Sequence, residues 1–277
     1  MNTIYDTLSG TLAVEPNSYN NIVSRLVDIL TLKEKNMDAL ASFLLPSENE
    51  SEADADPFDV VNRTAIIDIS GYISQDLDWF ERRYMGMTDL ADVRYQIALA
   101  DSHSEIDRIA LKIDSSGGRI KGLRETMRVI RETEKPIYAV GIGTMASGGW
   151  FLASQADEIA VTPSTLSGSI GVIHVRRSMH GYLRNEGIKP IVFRNKEAKL
   201  KSPGHGDEEM TKEQIESIQV LIQDMFDKIR KETEEAREIS KSALLGHAVF
   251  GESALDDEIA DSFFNSFDDA LEHFSNA

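Results

Sequence analysis

Residues 108–142 read RIALKIDSSGGRIKGLRETMRVIRETEKPIYAVGI, and this stretch decides the fold. RIALKID (108–114) has the apolar content of a strand and runs into SSGG, whose small residues suit a tight turn. Over residues 119–134, Ile120, Leu123, Met127 and Ile130 are spaced for one face of a helix. PIYAVGI (136–142) is the next strand. Working outward, TAIIDISGYI (64–73) is rich in β-branched residues and reads as an earlier strand. EIAVTP (158–163) and KPIVFRN (189–195) read as later ones. Strands alternating with helices predict an α/β fold with a largely parallel sheet.

The chain has 277 residues, 41% of them apolar, enough for one large domain or a domain with an appendage. It contains no cysteine, which excludes a disulfide scaffold, a thiol nucleophile and a thiolate zinc site. A formal net charge of −18 repels phosphate backbones, so no direct nucleic-acid partner is expected. No run approaches the ~18–20 apolar residues that span a bilayer. MNTIYDTLSGTLAVEP (1–16) lacks the basic and apolar regions of a signal peptide, so no membrane anchor and a cytoplasmic setting are expected.

In the first 46 residues, Val23, Leu26, Val27 and Leu30 share one helix face, and a second apolar group ends at Pro46. SENESEADADP (47–57) carries five acids and no base, the composition of a solvated linker. The expected organisation is a helical segment over 1–46, an acidic linker over 47–57 and a main domain over 58–277. Residues 208–237 predict a long helix with Ile215, Ile218, Ile222, Met225 and Ile229 as its apolar seam, suited to packing on the chain's own sheet or on a partner helix.

GTMASGGW (143–150) places one serine, Ser147, among small residues that expose a side chain and admit other backbones. A hydroxyl needs a base before it attacks. The G-x-S-x-G elbow fails here, because Met145 stands two residues before Ser147. The six histidines, His103, His174, His180, His205, His247 and His273, fall in no sharp motif. Lysine is the other choice: its amine keeps its proton to pH ~10.4 in water, and desolvation lowers that by several units. Composition alone leaves the choice open. Backbone N–H groups of Gly117 and Gly118, past the strand, and of Gly148, beside the serine, suit an oxyanion hole. A helix over 149–156 would add its N-terminal dipole. Trp150 reads as core. Trp79, Phe80 and Tyr84 could line a groove for extended peptide, while Arg119 and Lys121 read as exposed residues of the helix that follows.

ASGGWFLASQADEIAVTPSTLSGSIGVI (146–173) resembles the core of the signal-peptide-peptidase-A family of serine peptidases. The family's Ala-Ser-Gly-Gly-aromatic is matched at Ala146–Trp150, and its Pro-x-Thr-x-(Ser/Thr)-Gly-Ser-(Ile/Leu)-Gly at Pro163–Gly171. IDSSGG (113–118) and, in weakened form, VFGESALDDEIAD (249–261) resemble two further signatures. The resemblance covers roughly residues 60–265 and implies a crotonase/Clp-protease-like fold with a repeated β-β-α core. It also implies a Ser-Lys dyad. In FRNKEAKLKSPG (193–204), Lys196, Lys199 and Lys201 compete; Lys199 lies 52 residues after Ser147, the separation common in the family, and Lys201 is the fallback. Pro203 sits one residue nearer than the family pattern, and a glycine-aromatic pair before the lysine is missing. By the same resemblance Ser169 would hydrogen-bond the lysine.

The resemblance further implies a protein or peptide substrate and a ring-like homo-oligomer. LAVEPNSYNNIVSRLVDIL (12–30) is similar to the start of head maturation proteases of tailed phages, which would make capsid or scaffold proteins the substrates, in the host cytoplasm or inside the assembling head. With no metal-ligand spacing and no phosphate-cradling loop, no cofactor is expected. Three other readings fit the same motifs: a cytosolic peptide-degrading peptidase, a crotonase-like acyl-CoA enzyme using SSGG as its oxyanion hole, and an inactive structural homologue.

Overall fold

The computed structural model describes residues 12–14 and 57–276, apart from 177, 190, 202 and 204–208. The helical segment expected over 1–46 and the linker over 47–57 lie outside the described residues, Leu12–Val14 and Pro57 excepted.

Strand β1 is Leu12–Val14, β2 Asp59–Val61 and β3 Thr64–Ser74. A short helix α1 (Trp79–Arg83), strand β4 (Thr88–Asp89) and helix α2 (Leu90–Ser102) follow. The opening stretch becomes β5 (Arg108–Arg119), α3 (Leu123–Glu132) and β6 (Ile137–Ala146). Then come α4 (Gly148–Ala153), β7 (Glu158–Val161), β8 (Leu166–Gly168), α5 (His180–Asn185) and α6 (Lys212–Glu234). The C-terminal part adds β9 (Ala248–Phe250), α7 (Ser253–Asp256), β10 (Ser262–Phe263) and α8 (Phe267–Ser275).

The strands form one sheet in the order β10-β7-β6-β5-β3-β2. The pairs β3·β5, β5·β6, β6·β7 and β7·β10 are parallel, and β2 closes the edge antiparallel to β3. This is the α/β architecture with a largely parallel sheet that the sequence predicts. Alternation along each strand sorts its residues to two faces. Ile109, Leu111 and Ile113 of β5 join the large core under α2, α3 and α4, while Ala110 turns to the opposite face with Ile66 and Leu271. There α8 covers the sheet, stacking Phe274 on Tyr138 with ring centroids 4.2 Å apart. Asp89 caps α2, its side chain accepting from Ala91 N, and Leu90, Val93, Ile97 and Ala100 form its buried stripe.

The three central strands slip register together. The breaks fall between Ser70 and Tyr72 of β3, and between Ile113 and Ser115 of β5 against β6. Gly71 sits in the first break at φ +66, and a Cβ there would lie 2.2 Å from the carbonyl oxygen of Gly86, so glycine is required. Beyond the breaks the strands take new partners: β4 on β3, β8 on β6, and β9 antiparallel to β8. The GTMASGG segment lies in this second zone.

Trp150 is buried, as the sequence predicts, and its Nε1–H donates to the carbonyl of Ile259 at 2.9 Å. Trp150→Phe keeps an aromatic ring but leaves that buried carbonyl without its donor, so urea unfolding should show a loss of about 1–2 kcal/mol.

Several expectations shift. Arg119 ends β5 rather than opening the helix, which starts at Leu123; Arg119 is half-buried, and its Nε and Nη2 have no hydrogen-bond partner among the described residues. Lys121 is exposed and paired with Asp76. The helix after Ser147 ends at Ala153. The strand expected over 189–195 is not formed among the described residues of that stretch, because no neighbouring strand pairs with it; Ile191 is 72% and Phe193 91% exposed. The seam of α6 is buried only at its C-terminal end, where Ile229 joins the core near α3, while Ile215 stays exposed. Arg124 of α3 holds the buried carboxylate of Glu232 there at 2.5 Å. That hydrogen bond, with the Glu232 charge, raises the Arg124 pKa above its ordinary value.

Candidate active site

Ser147 stands where β6 ends and α4 begins, with φ 50 and ψ −117. A non-glycine residue at positive φ costs of order 1–3 kcal/mol and persists only where its surroundings enforce it. The enforcement is visible. The Ser147 N–H donates to Gly168 O at 2.8 Å, and its carbonyl accepts from Phe151 N at 2.9 Å. The paired strands β6 and β8 set Ala146 opposite Gly168. Ser147 is 2% exposed, and its Oγ lies a long 3.4 Å from Gly171 O.

Ser169 follows β8, also at positive φ, and its N–H donates to His247 O at 2.7 Å. The segment entering β9 therefore fixes the second serine. The His247 ring meets the Asp257 carboxylate at 2.9 Å, and no hydrogen bond links it to Ser147. Donation from His247, then from Ser242, holds the Asp257 carboxyl below the usual carboxylate range.

The three glycines come together. A Cβ on Gly148 would lie 3.2 Å from Gly117 Cα and 3.3 Å from Gly118 N. One of them is already engaged: Gly117 N–H donates to Ser115 Oγ at 3.1 Å, and that hydroxyl donates to Gly71 O at 2.6 Å. The Gly117 donor is therefore turned toward β3, leaving Gly118 and Gly148 as the candidate pair. Ser115 is the positioning residue that motif reasoning passed over. Its signal is the first serine of SSGG, a small hydroxyl two residues ahead of the donor it satisfies.

Among the described residues no hydrogen bond links Ser147 to Lys196, Lys199 or Lys201. Lys196, Lys199 and Lys201 lie exposed in the turns of 195–201, and among the described residues their amines make no hydrogen bond or ion pair. The loop is held through its backbone: Lys199 O accepts from Gln214 Nε2 at 3.1 Å and Lys201 O from Arg194 Nε at 2.8 Å. Trp79 is exposed and packs edge-on against Tyr84 at 5.2 Å, with Phe80 at 5.5 Å from the same ring.

A serine forced into a left-handed elbow ahead of a helix, with two glycine amides beside it, is the geometry that acyl transfer to a serine hydroxyl needs. Sequence comparison agrees with that class. The profile of Peptidase family S49 matches residues 130–276, more than half of the chain, and the chain belongs to that family. The Clp protease profile matches residues 62–166.

Capsid assembly protease C of Escherichia phage lambda is 28% identical over 184 residues, covering 66% of this chain and 40% of that protein. A putative signal peptide peptidase SppA of Enterococcus faecium is 26% identical over 185 residues, covering 64% and 53%. The head-tail preconnector protein GP5 of Enterobacteria phage P21 is 27% identical over 214 residues, covering 76% and 42%. The chain thus spans about half the length of these relatives. Among the described residues no helix is long and apolar enough to cross a membrane.

Proposed function

We propose that this chain is a serine endopeptidase acting through an acyl-enzyme, with Ser147 as nucleophile and Lys199 as base. The observation that carries this is the enforced positive-φ elbow of Ser147, packed against Gly118 and Gly148. Ser147 Oγ would bond to the peptide carbonyl carbon while Lys199 Nζ takes the hydroxyl proton and hands it to the leaving amine. Water then cleaves the ester by the same route in reverse. Ser169, held by His247 O, would orient the lysine amine. Gly118 and Gly148 N–H groups would carry the oxyanion, each contributing about 3 kcal/mol. The α4 helix is too short for its dipole to add much beyond those amides.

A lysine serves as base only once removed from water. Lys199 is exposed, so another surface must cover its loop. The exposed Ile191 and Phe193 beside it, and the exposed Ile215, Val220 and Leu221 of α6, support a homo-oligomer in which a second copy provides that cover. Phe193→Glu should shift sedimentation velocity toward the monomer and lower peptidase activity in parallel. Unchanged sedimentation in that variant sinks the oligomer reading.

The phage relatives support capsid or scaffold proteins as substrates, in the host cytoplasm or inside the assembling head. In this reading residues 58–277 are the peptidase domain, and residues 47–57 link it to the helical segment over 1–46. The exposed lysines favour one rival, a structural homologue without activity. Casein digestion at pH 8 by wild type, Lys199→Ala and Lys201→Ala decides between them. The dyad predicts loss in Lys199→Ala alone. Loss in Lys201→Ala instead moves the base two residues along the loop, and a wild type that cuts neither casein nor capsid proteins leaves the structural homologue.

A further inference from the structure

β6 pairs with β5 as far as Ser115↔Met145 and then turns off into Ser147. β5 runs on to Arg119, still paired with β3 through Tyr72↔Gly117 and Ile73↔Gly118. On its other side β5 no longer has β6 as a neighbour. An edge of this kind accepts an extended peptide through backbone hydrogen bonds. In this structure the edge is occupied: β1 lies along it antiparallel, with Leu12↔Arg119, Ala13↔Gly118 and Val14↔Gly117.

Ser115 Oγ accepts from Gly117 N–H and donates to Gly71 O of β3, so that amide is already engaged. Gly118, the next residue, pairs with Ala13 of β1. Its N–H is the one assigned above to the oxyanion, so Ala13 lies opposite the residue that a substrate's scissile carbonyl would have to meet.

We propose that Leu12–Val14 is a tethered occupant of the peptide substrate's place: the chain closes its own cleft with its N-terminal segment, and a substrate must displace β1 to reach Ser147. The proposal rests on the reading of Ser147 and Gly118 as the reacting site; the strand pairing itself does not. Tethering gives such a segment an effective concentration of about millimolar, so peptides that bind more weakly are kept out.

Ala13→Pro is the probe, because proline removes a backbone donor from the middle of β1 and disfavours strand pairing. The first readout is hydrogen–deuterium exchange in the full chain carrying Ser147→Ala. Adding Ala13→Pro should speed exchange across residues 116–120 about tenfold. A synthetic peptide of residues 9–17 at millimolar concentration should restore the protection. Exchange that Ala13→Pro leaves unchanged overturns the proposal. The second readout is fluorophosphonate labelling of Ser147, expected several-fold faster in Ala13→Pro than in the unsubstituted chain; equal rates count against the occupant. If neither chain is labelled, the nucleophile assignment is what fails, and the exchange result alone decides whether β1 fills the edge.

Discussion

Ser147→Ala is expected to lower turnover of a protein substrate about 10⁶-fold, the size of loss that removing an activated nucleophile produces. Folding stability should stay within about 0.5 kcal/mol, because the Ser147 hydroxyl gives the fold little beyond its long 3.4 Å approach to Gly171 O. The combination is what makes the test sharp. Alanine keeps the backbone at φ 50, so the elbow and its strain remain while the chemistry is gone. Ser147→Gly makes the complementary point: it should be equally inactive yet more stable than Ser147→Ala by about 1 kcal/mol, since glycine adopts this conformation without cost. Urea midpoints and casein turnover measured on all three chains check both halves. Residual activity of more than a few per cent in Ser147→Ala removes this residue from the mechanism.

Gly118→Ala should be severely damaging. The added Cβ would lie 1.7 Å from the carbonyl oxygen of Ile73, 2.6 Å from its carbon and 2.7 Å from its nitrogen. All three are backbone atoms of the paired strand β3, which cannot rotate away as a side chain can. Strand separation there costs about 3–5 kcal/mol and moves one proposed oxyanion donor, so stability and activity fall together. Gly181→Ala is the control. It has no atom within 4 Å and lies in α5, so it should be neutral or slightly stabilising. A Gly118→Ala chain with a wild-type urea midpoint would show that β3 and β5 do not approach as described.

The fold was legible because its strands are buried on two faces and announce themselves as apolar runs. TAIIDISGYI, RIALKID and PIYAVGI all became central strands of the sheet. KPIVFRN has the same local signal, but strand formation needs a neighbour to pair with, and no described strand provides one. The elbow at Ser147 and the glycines packed beside it were legible because a tight backbone turn leaves small residues in the sequence. The Ser115 hydroxyl was not, since its task depends on which way the Gly117 N–H points after a register break. A motif can name a lysine-bearing loop, but what surrounds that loop is decided by surfaces far away in sequence.

The aligned register breaks in β3, β5 and β6 have a consequence for how such a chain tolerates insertions and deletions. Upstream of the breaks, one residue added to a strand would carry every later side chain to the opposite face, exchanging core for solvent. At the breaks the ladder has already absorbed such a slip, so an added residue there enlarges a bulge and leaves the scaffold's inside–outside pattern intact. Length variation that leaves the chain foldable should therefore concentrate on the bulged strands, at positions 114–117 and 141–145, re-aiming Ser147 relative to Gly118 without loosening the layer beneath.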